Sequence, residues 1–86
     1  MDNRLKRMRY RAWHRGIKEM DLILGRFADD TLKTLNGDEL DVFEELLEVG
    51  DQQFYRWING AEAVPDDQDS PLLRRIMALD HMTDLP

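Results

Sequence analysis

Ile17-Lys18-Glu19-Met20-Asp21-Leu22-Ile23-Leu24-Gly25-Arg26-Phe27-Ala28 is the stretch that decides the fold. Ile17, Met20, Leu24, Phe27 and Ala28 follow an i, i+3, i+7 rhythm, with Ile23 flanking it, which is the signature of a helix with one buried face. The same rhythm recurs on both sides. Leu5, Met8 and Ala12 form a stripe with Tyr10 and Trp13 beside it. Leu40, Phe43, Leu46 and Leu47 form another, Phe54, Trp57 and Ile58 a short fourth, and Leu72, Leu73, Ile76, Met77 and Leu79 a fifth. No strand alternation, repeat or low-complexity tract interrupts them.

The punctuation between stripes agrees with five helices. Gly16, without a Cβ, permits a sharp change of direction between the first two. Asn36 and Glu39 have the N-cap and N3 spacing of a capping box. Gly50 can close the third helix in the left-handed conformation, and Asp51 can cap the fourth. Gly60 ends the fourth. Ser70-Pro71 is a cap followed by proline at the first helical position. Ala61 to Asp69, with Pro65 and several acids, is the longest loop. The expected helices span about 2–14, 17–31, 38–49, 52–59 and 71–81, with ends good to about 2–4 residues. Helices this short are marginal alone and must pack on one another. The expected fold class is therefore all-α, a small antiparallel bundle of about five short helices in a single domain over residues 1–86.

A chain of 86 residues and 10.2 kDa should fold to about 5,300 Å² of surface around one core. There is no cysteine, so neither a disulfide nor a zinc thiolate staples it. Trp13, Phe27, Phe43, Phe54 and Trp57 are the largest apolar contributors, each worth about 2–3 kcal/mol on full burial. No apolar run approaches the ~20 residues of a membrane span. The charged first twenty residues do not resemble a signal peptide, so the fold is expected to start near Met1, in the cytoplasm.

The net charge of −6 is unevenly spread. Residues 1–18 carry seven bases against Asp2 alone, a net of +6, whereas residues 19–86 carry five bases against seventeen acids, a net of −12. The acidic part would repel a phosphate backbone, which argues against general nucleic-acid binding. The basic end is either a solvated helix face or a surface for an acidic protein. An enzyme finds little to work with here. The glycines are scattered, Ser70 is the one serine, and His14 and His81 lie at opposite ends of the chain without a ligand set around them. Asp66, Asp67 and Asp69 lack the glycine and terminal glutamate of a calcium loop.

Arg15-Gly16-Ile17-Lys18-Glu19-Met20-Asp21 admits two readings. Helix-end electrostatics can account for Arg15, Glu19 and Asp21 without any ligand. Alternatively, Arg15 and Glu19 flank a bare stretch of backbone that a partner approaches closely.

The run from His14 to Leu24 resembles the Arg-Gly-x-x-Glu signature of the succinate dehydrogenase assembly factor 2 family, the flavin-attachment factors. Phe43 to Glu48, followed by Asp51 through Trp57 and Ile58, resembles the family's second block, a leucine-rich acidic helix and then Asp and Trp. Block order, spacing and length agree over nearly the whole chain. His14 replaces a frequent second arginine, and Gln52 a frequent proline. The resemblance implies a chaperone-like factor, not an enzyme. Such a factor binds the flavoprotein subunit of succinate dehydrogenase, or that of fumarate reductase, and promotes covalent attachment of FAD to it. It implies that FAD is handled by the client, that no cofactor is stably bound, and that the factor is a monomer when free. It places the contact centre at Arg15, Gly16 and Glu19, with Asp21 and His14 adjacent. Arg15 would meet client acceptors, Gly16 would allow close approach, and Glu19 would meet a client donor. The competing reading is a small nucleic-acid-binding or antitoxin-like module using the basic first helix.

Overall fold

The computed structural model describes residues 3–82. Five helices follow in order: α1 (Asn3–Trp13), α2 (Lys18–Thr31), α3 (Gly37–Leu46), α4 (Asp51–Ile58) and α5 (Pro71–Met77). Single 3₁₀ turns at Leu32–Thr34 and Asp80–Met82 follow α2 and α5, and there is no strand among the described residues. α1 lies along α2, and α5 closes over α2 and α3. The folded surface is 5328 Å².

The stripes become one core. Met8 and Ala12 of α1, Met20, Leu24, Phe27 and Ala28 of α2, Phe43 and Leu46 of α3, Phe54 and Trp57 of α4, and Leu72, Leu73 and Ile76 of α5 are all buried. Phe27 and Phe43 stack at 5.8 Å between ring centroids, and Phe54 meets Trp57 at the same distance. Such ring pairs add about 0.5–1.5 kcal/mol beyond the area they bury. Among the described residues no charged or polar side chain is buried.

The Asn36 side chain accepts from the Glu39 N–H at 2.8 Å while the Glu39 carboxylate accepts from the Asn36 N–H at 3.0 Å, a complete capping box. Ser70 Oγ accepts from Leu73 N–H at 3.1 Å ahead of Pro71. Gly60, with φ of 80°, follows α4 in the left-handed region.

Several expectations are corrected. Gly50 is not left-handed; its φ is −61° and it is the N-cap of α4. α3 ends at Leu46, and Asp51 is the first residue of α4 rather than its cap. α5 stops at Met77, because Leu79 takes φ of 60° and turns the chain so that its own side chain packs on the core. Trp13 is only half-buried. Its ring lies over Gly25, where a Cβ would stand 2.2 Å from the indole, and its Nε1 donates to Asp29 at 3.3 Å. Tyr10, expected beside the stripe, is 64% exposed.

The charge asymmetry is resolved by folding. Arg4 pairs with Asp41 and Glu44, Arg9 with Asp29, Arg11 with Glu48 and Arg15 with Asp51. The basic helix is laid against the acidic remainder of the chain. The exposed pairs are each worth about 0–1 kcal/mol. Their larger consequence is that much of α1's charge is spent inside the molecule, which leaves less for a polyanion.

Candidate functional site

The site forms where the link between α1 and α2 meets the link between α3 and α4. His14 to Ile17 join the first pair of helices, and Leu47 to Gly50 the second. Arg15 reaches across this junction. Its Nε donates to Asp51 Oδ1 at 2.6 Å, its Nη1 to the Leu47 carbonyl at 2.6 Å, and its Nη2 to the Val49 carbonyl at 2.5 Å. These carbonyls lie just beyond α3, where the helix dipole presents negative charge and favours a cation. The Arg15 side chain is only 9% exposed. In this structure the guanidinium is engaged within the molecule.

Gly16 presents its N–H to the other Asp51 oxygen, Oδ2. A Cβ here would stand 2.8 Å from that oxygen. Positive φ is confined to Gly60 and Leu79 among the described residues, so Gly16 is needed for space rather than for a left-handed backbone. Asp21, in the first turn of α2, accepts from the Arg15 backbone N–H through Oδ1. With Ile17 extended as the N-cap and offering no side-chain cap, Asp21 secures the incoming chain instead. The two carboxylates thus hold consecutive backbone N–H groups.

Glu19 is different. It is exposed on the first turn of α2, and its side chain makes no hydrogen bond or ion pair among the described residues. His14 is also exposed. Its ring stacks on Tyr10 at 3.9 Å, and its Nδ1 donates to the Tyr10 carbonyl at 2.7 Å, which turns Nε2 away from that contact. Tyr10, His14, Arg15, Gly16 and Asp51 line an open cleft of about 240 Å³. A second, more apolar cleft of about 370 Å³ begins at Glu19 and runs over Leu22, Ile23, Tyr55, Ile58 and Leu79.

All five residues singled out in the sequence therefore lie at one junction, but facing different ways. Arg15 and Asp21 face inward, and His14 and Glu19 face out. Sequence reasoning missed Asp51 as a member of the site, because its spacing reads equally well as a helix cap. It also missed the apolar cleft. Leu22 was the available signal, an apolar residue outside the buried stripe of α2. Among the described residues no group of His, Asp or Glu could hold a metal ion, and no helix is long and apolar enough to cross a membrane.

The family model described as "Flavinator of succinate dehydrogenase" matches residues 6–80. An "FAD assembly factor SdhE" of Acetobacter pasteurianus is 34% identical over 74 residues, covering 86% of this chain and 68% of that protein. A protein of the same name from Coxiella burnetii is 28% identical over 74 residues, covering 86% of this chain and 89% of its own length. The mitochondrial succinate dehydrogenase assembly factor 2 of Lodderomyces elongisporus is 40% identical over 57 residues, which is 66% of this chain but only 35% of that longer protein. With both sequence blocks and the junction they form inside the matched span, the chain belongs to the family of succinate dehydrogenase flavinators.

Proposed function

We propose that this chain is an assembly factor that binds the flavoprotein subunit of succinate dehydrogenase and promotes covalent attachment of FAD to it. The printed names of its relatives support this reading. The observation in the structure that carries it is Glu19: an exposed carboxylate, unpaired among the described residues, at the end of an apolar cleft and beside a rigidly held Gly16.

The factor acts by binding and supplies no reacting group. Covalent flavin attachment is chemistry of the cofactor and of the client's own pocket. A binding partner accelerates it by favouring the client conformation in which the flavin is poised, and it does so only if it binds that conformation better than the others. Glu19 meets a donor on the client. Gly16 and His14 lie against the client backbone and side chains. Arg15 and Asp21 hold the loop in shape. FAD stays with the client. The single apolar cluster supports treating the chain as one helical domain.

Titration calorimetry of the chain against the flavin-free flavoprotein subunit tests this reading. The parent forms a complex. Glu19→Ala should weaken it by several kcal/mol, as loss of a charged contact near an interface centre does, while its melting temperature stays near the parent's. Unchanged affinity would remove Glu19 from the interface.

A further inference from the structure

Asp51 belongs to the second sequence block, yet both of its carboxylate oxygens are engaged with the first. Oδ1 accepts from Arg15 Nε at 2.6 Å and Oδ2 from the Gly16 backbone N–H. Its side chain is 17% exposed. Gly50 takes the N-cap position of α4 with no side-chain cap, so the Asp51 carboxylate is not committed to its own helix end. The Gly16 Cα is bare where Oδ2 approaches, and a Cβ at 2.8 Å would push the carboxylate away.

We propose that Asp51 is the positioning residue of this site, and that the two sequence blocks form one device; this rests on the reading of the Gly16–Glu19 surface as the client contact. The chain of connection is short. Asp51 fixes Gly16, which precedes Ile17, the N-cap of α2. The Ile17 carbonyl accepts from Met20 and Asp21 N–H at 3.1 Å each. Asp21 returns to the Arg15 N–H. Glu19 lies within this closed circuit of backbone and side-chain bonds, so its direction follows from where Asp51 holds Gly16. Arg15 is the second half of the clamp. It ties the same carboxylate to the Leu47 and Val49 carbonyls, which sets the junction of α3 and α4 against the start of α2. Arg15 and Gly16 are thus adjacent because one carboxylate must reach both, and the glycine is required because that carboxylate comes so close.

Amide exchange in the full-length, isotope-labelled chain tests this directly, alongside affinity for the flavin-free flavoprotein subunit. Gly16 is exposed, so an unbonded amide there would exchange freely. The parent should show Gly16 exchange slowed at least about tenfold. Asp51→Glu, which keeps the charge but moves it, and Asp51→Ala, which removes both acceptors, should both lose that protection, whereas Asp51→Asn can still serve one of the two donors. Affinity for the subunit should then fall by about tenfold or more, while core amides of α2 and α5 keep theirs. Asp51→Asn should retain more affinity than Asp51→Ala. Free exchange of Gly16 in the parent overturns the proposal whatever the variants do. So does a folded Asp51 variant that loses Gly16 protection and binds like the parent. Should single variants unfold by stranding Arg15, the Arg15→Gln/Asp51→Asn pair removes both charges together and is judged by the same rule. Glu19→Ala separates the two claims. If it loses affinity while Asp51 variants do not, only the positioning role falls. If neither loses affinity, the contact surface falls as well.

Discussion

Gly25 lies in the middle of α2, where alanine would ordinarily stabilise a helix by about 1 kcal/mol. In this fold Gly25→Ala should do the opposite. An added Cβ would stand 2.2, 2.4 and 2.6 Å from Trp13 Cδ2, Cε2 and Cε3, so it meets the flat of the indole rather than the end of a flexible chain. Ordinary carbon contact is about 3.5 Å, so the ring has to retreat by about 1.3 Å. α1 packs along α2 through this contact. Overpacking of this severity costs up to about 3 kcal/mol. The Trp13 Nε1 bond to Asp29 adds about 1 kcal/mol if it breaks. After the propensity gain the net loss is about 2–3 kcal/mol, a fall in melting temperature of about 10–20 °C for a domain of this size. The assay is thermal unfolding followed by far-ultraviolet circular dichroism. Gly37→Ala serves as the control, since no atom lies within 4 Å of its added Cβ; its change should stay below ~1 kcal/mol. A Gly25→Ala protein that melts at or above the parent would refute the packing of Trp13 on Gly25 and with it the docking of α1.

Phe43→Ala and Trp57→Ala, which empty sites that are 0% and 4% exposed, should each cost about 3–5 kcal/mol in denaturant unfolding; a loss under about 1 kcal/mol would misplace the ring. Gly16→Arg should abolish client binding by displacing Asp51 and covering the contact backbone, and its melt should show a folded protein because Gly16 does not need positive φ. The Asp69 carboxylate is held below its ordinary value of 3.8, chiefly by the hydrogen bond from Arg74. Its folded pKa is the lower one, so its stabilising effect is present above the unfolded value and is lost as pH falls through the folded one. Arg74→Gln should therefore lower the melting temperature near neutrality and converge on the parent in strong acid; a gap that widens in acid would reverse the assignment.

The fold was legible because its information is local. Asn36 and Glu39, Ser70 and Pro71, and Gly60 mark helix ends within a few residues of themselves, and the apolar stripes need only one helix turn of context. The misread places each depend on contacts between distant residues. Asp51 reads as a cap until Arg15 and Gly16 arrive from 36 and 35 positions away. Their arrival leaves the N-cap to Gly50 and lets α3 end early, with the Leu47 and Val49 carbonyls taken up by a guanidinium. Tyr10 stands beside the α1 stripe, and how far it turns outward is decided by the His14 ring stacked on it. Leu79 leaves its helix with φ of 60°, and its side chain packs against the core, a contact that local sequence does not announce. The same distinction explains the site. Its members could be named from the run around Gly16, but the division into inward Arg15 and outward Glu19 exists only once α3 and α4 are in place.

The central functional claim is that this chain promotes covalent attachment of FAD to the flavoprotein subunit of succinate dehydrogenase. The direct measurement is flavin fluorescence retained by that subunit after denaturation, when it is produced without the chain, with the parent chain, and with Glu19→Ala at equal abundance. Retained fluorescence should be strong with the parent, and near the level of the chain-free sample with the variant. Equal covalent flavin in all three samples would contradict it.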